Sequence, residues 1–369
     1  MSDTDRWLRW VAAYGLPGSL VERPTEVLVT SAWKTLLTSV RRHHLLGLLW
    51  HAIEDDQLPV TLPQRDEVAR EHIQVMGGVL RLEAQLLRVV RALQDEGIET
   101  RVLKGSAVAH LDYPDPALRP FGDVDLLVRS DDFDAAVAAL KGTGLPRAFS
   151  EPRPGFDRRY GKGASFRGDK GFELDLHRTF VIGPFGVKIK LDSLWETRST
   201  FALAGTQLHA LGGDERFLNA CYSAAISDAV PRMATQRDLA QMLLFGGVDR
   251  RRVRELAKDW GAEVVLARAV LESWRALQIA DVTGLSSWAF RYRPEAHDKR
   301  DVALYTTPGV SYTAQSLATF GAIRGVRPRL RFVLSLSAPR REFSEPSQRG
   351  FTGRLLKGAH DLVEARARS

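Results

Sequence analysis

Residues 122–128 read Gly-Asp-Val-Asp-Leu-Leu-Val, and no other part of the chain constrains the fold as tightly. Side chains two apart on a β-strand share a face, so a strand here stands Asp123 beside Asp125 and turns Val124 and Leu126 the other way. Two like charges on an otherwise apolar strand repel each other and call for a counter-charge such as a bound divalent cation. Hard cations of the Mg²⁺ type take carboxylate oxygens, keep waters and bridge to phosphates.

The surroundings show how such a strand is housed. From Asp5 to about Gln57 apolar residues recur at three- and four-residue intervals, as in a helix. Pro59 and Pro63 break the pattern, and a long helix is predicted from Gln64 to Glu96, closed by Gly97. Residues 1–97 therefore read as a helical N-terminal region. The character then changes. Strands are predicted at Ile98–Leu103, Val124–Val128, about Arg158–Phe166 and about Gly171–Phe180, with helices at Ser106–Leu111 and Asp131–Leu140, the latter capped by Ser130. A hairpin over Phe201–Leu211 follows. Strands interleaved with helices imply an α/β or α+β sheet domain over 98–212. Helical patterns resume at Asp214–Ala229, Thr235–Phe245, Arg250–Asp259 and Ala262–Leu277, a bundle region over 213–280. Residues 281–369 read as a basic, irregular region rich in Arg, Gly, Pro and Ser.

A third acid falls at a useful distance. Phe172-Glu173-Leu174-Asp175-Leu176-His177 alternates like a strand and puts Glu173, Asp175 and His177 on one face. If it lies beside the first strand, Asp123, Asp125 and Asp175 converge, a set suited to two-metal phosphoryl chemistry. The phosphate end is supplied too. Gly105-Ser106 follows a strand and opens a helix, so its backbone N–H groups and the Ser106 hydroxyl can meet an anion. Lys104 and Arg119 bracket the site and can neutralise phosphate. The Gly-rich run Tyr160 to Ser165 lacks the Gly-x4-Gly-Lys-Ser/Thr order of a phosphate-binding P-loop, and reads as a hairpin whose Lys162 can reach phosphate.

The ordered stretch Leu-Lys-Gly-Ser (103–106), Tyr-Pro-Asp-Pro (113–116), Arg-Pro-x-x-Asp-Val-Asp-Leu-Leu-Val (119–128) and Asp-Leu-His (175–177) resembles the bacterial "uncharacterised nucleotidyltransferase" family. That family lies within the superfamily that shares the DNA polymerase β-type palm. Arg237-Asp238-Leu239-Ala240 is similar to a family helix of the Arg-x-x-Asp-Leu-Ala type. The resemblance is strong over about 98–180, weaker over 210–280 and vague outside. It implies a palm-like mixed sheet with helical additions, and transfer of a nucleoside monophosphate from an NTP, ATP included, to an acceptor hydroxyl with release of pyrophosphate. It implies Mg²⁺ or Mn²⁺ on Asp123 and Asp125, Asp175 completing the site, and Gly105 and Ser106 on the triphosphate. Between Glu173 and Asp175, the place before Leu-His favours Asp175. His177, Arg237 and Asp238 join Lys162 as candidate substrate contacts. Sixteen residues (107–122) separate Ser106 from Asp123, more than the superfamily's short spacing; the extra length is the Tyr-Pro-Asp-Pro loop.

Composition limits the alternatives. With 44% hydrophobic and 26% charged residues in 369, the chain is globular, not fibrous or disordered. Its longest apolar runs, such as Leu45–Trp50, fall far short of the ~20 residues that span a bilayer. The beginning, MSDTDRWLRW, lacks a secretory pattern, and Cys221 is the only cysteine, so a cytoplasmic protein without a cysteine metal site is expected. His43, His44 and His51 have no carboxylate or cysteine at metal-ligand spacing. No Gly-x-Ser-x-Gly elbow supports nucleophilic hydrolysis. Residues 321–369 hold 11 Lys/Arg against 4 Asp/Glu, which accounts for the whole net charge of +7. Such a segment can meet a phosphate backbone, leaving RNA beside a small molecule or peptide as acceptor. RNA would fit a toxin-type, tRNA-modifying enzyme. A nucleotide-binding protein without turnover is the rival from another class.

Overall fold

The computed structural model describes residues 3–337 except 152, 228–231, 281–282, 309–311 and 324. The sheet is built on opposite demands made by alternate residues of its strands. Strands β1 (Thr100–Val102), β2 (Val124–Val128), β3 (Gly163–Arg167), β4 (Glu173–His177), β5 (Arg198–Leu203) and β6 (Thr206–Leu211) form one mixed sheet in the order β3-β4-β2-β1-β6-β5. β2 pairs parallel with β4 and antiparallel with β1; β1 runs parallel to β6; β3–β4 and β5–β6 are antiparallel.

Sixteen α-helices among the described residues surround it. The first four are α1 (Asp3–Ala13), α2 (Thr30–Arg42), α3 (Leu46–Glu54) and α4 (Leu62–Asp95). Within the sheet region lie α5 (Ser106–Asp112), α6 (Phe133–Gly142), α7 (Phe156–Arg159) and α8 (Gly183–Lys188). Then come α9 (Gly213–Ile226), α10 (Met233–Phe245), α11 (Arg250–Asp259) and α12 (Glu263–Ala276). Last are α13 (Gly284–Arg291), α14 (Ala296–Thr306), α15 (Tyr312–Ala322) and α16 (Val326–Ser337). The chain is thus an α+β protein, as its strand and helix patterning predicts. No helix of the described residues is long and apolar enough to cross a membrane.

One face of the sheet is apolar but for the buried Thr100 of β1. Val102, Val124, Leu126, Val128, Phe166, Leu174 and Leu176 pack on Leu86, Val89, Val90 and Leu93 of α4 and on Phe133, Ala136, Val137 and Leu140 of α6. α4 is long enough, at about 1.5 Å per residue, to leave this core and reach the other. Its start is held by a capping box in which Thr61 and Gln64 bond reciprocally, with Pro63 in the first turn. The second core joins α1–α3 to α9–α12 and meets the opposite sheet face at Leu103, Leu127 and Leu211.

The structure revises several local expectations. The first helical stretch is three helices: Gly15 and Gly18 at positive φ lie between α1 and α2, and His44 at positive φ lies between α2 and α3. The strand expected over 158–166 is the single-turn α7 followed by β3. Ser130 does not cap α6: Asp132 stands at the N-cap and makes no side-chain bond there, while the Ser130 hydroxyl is buried without a partner. The described part of 281–369 is four helices, not irregular chain. Its Arg, Gly and Pro sit at helix surfaces and ends, where composition resembles that of a loop. Residues 338–369, most of the basic segment, lie outside the described residues.

Candidate active site

The second face of the sheet carries the charge. Parallel pairing sets Asp125 against Asp175, with Val124 against Leu174 and Leu126 against Leu176 on the apolar side. Asp125, Asp175 and His177 each offer a ligand atom, and these atoms all lie within 4.8 Å of one another, a cluster able to hold a metal ion. Asp123 projects from the same side of the chain two residues earlier and is exposed. The two-residue spacing and the neighbouring strand expected from the sequence are therefore both present. The clustered set differs in one member: His177 stands where the sequence suggests Asp123.

Hydrogen bonds hold this cluster firmly. His177 Nε2–H donates to Asp125 Oδ1 at 2.6 Å, both side chains being buried. Ser165 on β3 donates its hydroxyl to Asp175 Oδ1 at 2.5 Å. Lys104 Nζ lies 3.9 Å from Asp125 Oδ1. Burial would raise the pKa of Asp125, but Lys104, then the His177 bond and Lys162, outweigh it and hold the carboxyl well below the usual range. Asp123, with one edge open to solvent, is shifted the opposite way, first by the desolvation of the protein packed around the cleft and then by repulsion from Asp125. Burial and the nearby Lys162 lower the pKa of His177, despite its bond to Asp125. The pair is thus a neutral imidazole donating to a carboxylate. This donor set fits a hard divalent cation: anionic oxygens on two strands, one of them kept ionised.

A cleft of about 340 Å³ opens over these acids. Lys104, Gly105, Arg119, Asp123, Asp125 and Lys162 line its acidic end. Gly105 has φ +52°, and a Cβ there would lie 3.1 Å from the Phe121 ring and 3.3 Å from Asp123 O, so the turn requires glycine. The far wall comes from α9 and α10, including Asn219, Ser223 and Thr235. Desolvation and Lys104 depress the pKa of Lys162.

Several predicted residues are paired with other protein groups. The Ser106 hydroxyl is buried and donates to Glu83 Oε1 of α4 at 3.2 Å; His110 donates to the same oxygen at 2.8 Å. Arg119 grips Asp238 with Nε 3.1 Å from Oδ1 and Nη2 2.8 Å from Oδ2, and Tyr113 donates to Asp238 Oδ1 at 2.8 Å. Arg119 and Asp238 border the cleft while pairing with each other, which ties the loop before β2 to α10. Arg237 is buried outside the cleft lining, and its guanidinium donates to the carbonyls of Ala12 and Tyr14 and to Gln241. Glu173 is exposed and pairs with Arg167, away from the cluster. Glu83, Ser165 and Tyr113 were not anticipated. Glu83 was legible only as a lone acid on the buried side of a long amphipathic helix.

Comparison with known proteins bears on this geometry. The family model described as an uncharacterised nucleotidyltransferase matches residues 30–272, which contain the sheet, both acid-bearing strands and α10. A crystal structure of an antigenic nucleotidyltransferase-like protein from Paracoccidioides brasiliensis is 18% identical, covering 57% of this chain and 97% of that one, with a TM-score of 0.35. No curated protein matches.

Proposed function

The chain belongs to the uncharacterised nucleotidyltransferase family, and from that premise we propose that it moves a nucleoside monophosphate from an NTP to an acceptor hydroxyl, releasing pyrophosphate. One observation carries the reading: Asp125 and Asp175 are paired across parallel strands beside Asp123, with Lys104 and Lys162 in the same cleft. In this proposal Asp125 and Asp175 hold Mg²⁺ or Mn²⁺, and Asp123 adds a further carboxylate at the cleft mouth. A divalent cation bound there would neutralise triphosphate charge and acidify the attacking hydroxyl.

The chain's own groups do the rest. Lys104, Lys162 and the backbone at Gly105 meet the phosphates, with Arg119 shaping the wall from its pair with Asp238. The acceptor oxygen bonds to the α-phosphorus, the bond to the bridging oxygen breaks, and the proton passes towards Asp175. His177 orients Asp125, leaving its second oxygen for a ligand. Catalysis then rests on positioning and charge neutralisation.

Label transfer tests this. The protein is mixed with each α-labelled NTP, Mg²⁺ or Mn²⁺, and an extract split into RNA, protein and small-molecule fractions, beside Asp125→Asn. Label entering one fraction, and lost in the variant, supports transfer and gives the acceptor class. Nucleotide binding without transfer to any fraction favours a binding protein. Absence of both transfer and metal-dependent binding overturns the site.

A further inference from the structure

Lys162 reaches the cleft from the turn that joins α7 to β3, and sequence-local forces hold such a turn weakly. The residue after the acid-bearing strand supplies the missing support. Arg178 is buried, and its guanidinium donates to three carbonyl oxygens of α7 and the turn after it: Asp157 at 3.1 Å, Arg159 at 2.8 Å and Gly161 at 2.9 Å. Its backbone N–H donates to Lys162 O at 3.0 Å. The turn is compact as well. A Cβ at Gly161 would stand 2.5 Å from Asp157 Oδ1 and 2.8 Å from Asp157 Cα. From outside, Glu151 accepts from the N–H groups of Gly155 and Asp157, and Arg147 pairs with the Asp157 side chain.

We infer that Arg178 is a positioning residue for Lys162: it fastens the 157–162 turn to the end of β4, so that the ammonium stands over the carboxylates carried by β2 and β4. The guanidinium reaches the three with two nitrogens, Nε–H shared between Asp157 O and Gly161 O and Nη2 on Arg159 O, and a lysine ammonium, a point charge without this planar fork, would satisfy only a subset. The arrangement also couples the halves of the site. His177 holds Asp125, and the next residue holds the turn bearing Lys162, so one strand end sets both a carboxylate and a cation.

The inference rests on the reading of Lys162 as a phosphate contact, and two readouts separate them. The first is the rate at which a small amine-acylating reagent modifies Lys162, followed by mass spectrometry without nucleotide. The second is binding of a non-hydrolysable NTP with Mn²⁺. Arg178→Lys is expected to raise Lys162 acylation several-fold and to weaken nucleotide binding on the order of 10-fold, the usual scale for a supporting partner. Arg178→Lys combined with Lys162→Ala should bind no worse than Lys162→Ala alone, because both changes remove one contact. A residue serving only general stability would add its effect to that of Lys162→Ala. Unchanged acylation in a folded Arg178→Lys protein overturns the inference. Faster acylation with unchanged nucleotide affinity sustains the positioning role and overturns the phosphate role of Lys162. If Arg178→Lys does not fold, Gly161→Ala strains the same turn by the Asp157 contact; it should also speed acylation, and failure to do so overturns the inference.

Discussion

The two faces of the central sheet are made by the same strands and differ by one residue of register. On β2, Leu126 is buried among α4 and α6 side chains, while Asp125 next to it faces Asp175, His177 and Lys104. On β4, Leu174 and Leu176 face the apolar core while Asp175 and His177 face the cluster. The apolar face needs only volume and patterning, so its partners are interchangeable hydrocarbons. The charged face needs specific partners, because each buried charge must be matched or it destabilises the fold. On the second face Leu127 and Leu211 enter a core as well, so the chemistry is confined to the part of that face that lines the cleft.

The largest effect should come from Asp125→Asn. Nucleotide transfer is expected to fall on the order of 10²–10³-fold, as for loss of one central electrostatic group. The melting temperature should fall modestly, because Lys104, His177 and Lys162 favour the ionised carboxylate in the folded state, so transfer is compared on protein that remains folded. A comparable loss of fold would show that the charged face also holds the sheet together. One residue on, Leu126→Ala should do the reverse, costing roughly 2–5 kcal/mol in denaturant unfolding through an apolar cavity. Manganese affinity of the protein that remains folded should be kept.

A third test uses pH. Burial raises the pKa of Asp157 to about 6, against the pull of Arg147. Its folded pKa lies above the unfolded one, so the folded state holds this proton more tightly. Its contribution to stability should therefore rise as pH falls from about 7 through 6 and level off below the unfolded carboxylate value near ~4. Asp157→Asn should flatten that part of a stability–pH curve measured by urea unfolding. A variant curve that still rises as steeply would assign the slope to another group. The smallest effect belongs to Thr61→Ala, which removes the α4 capping box far from the cleft and should cost about 1 kcal/mol. Metal and nucleotide affinity should be untouched; a change in either would mean that the apolar support reaches the charged face.

Legibility followed the range of the forces. Asp123, Asp125 and the Asp175-Leu-His177 alternation could be read because period-two spacing is local. Gly105 was legible by its place between strand and helix, and its positive φ accounts for it. The place of Ser106 after a strand and at a helix start predicts an anion contact, and its hydroxyl is bonded to Glu83. Nothing near Ser106 in sequence announces that acid, because α4 arrives from a separate part of the chain. The Tyr113–Asp238–Arg119 network and the direction of Arg237 were equally invisible, since they depend on how α10 docks against α1 and the loop before β2.

The amino-acid sequence by itself determined that two acids share a strand face, that a third lies on a second strand, and that helices flank a sheet. These follow from side-chain periodicity and backbone propensity, which act over a few residues. Only the tertiary structure decided that β4 lies parallel beside β2 with Asp125 against Asp175. It also decided that His177 meets Asp125, and that Arg119 and Asp238 pair across the cleft border. Those choices arise from burying one sheet face against α4 and α6, which leaves the charged side chains of the other face to find partners among whatever the packing brings near.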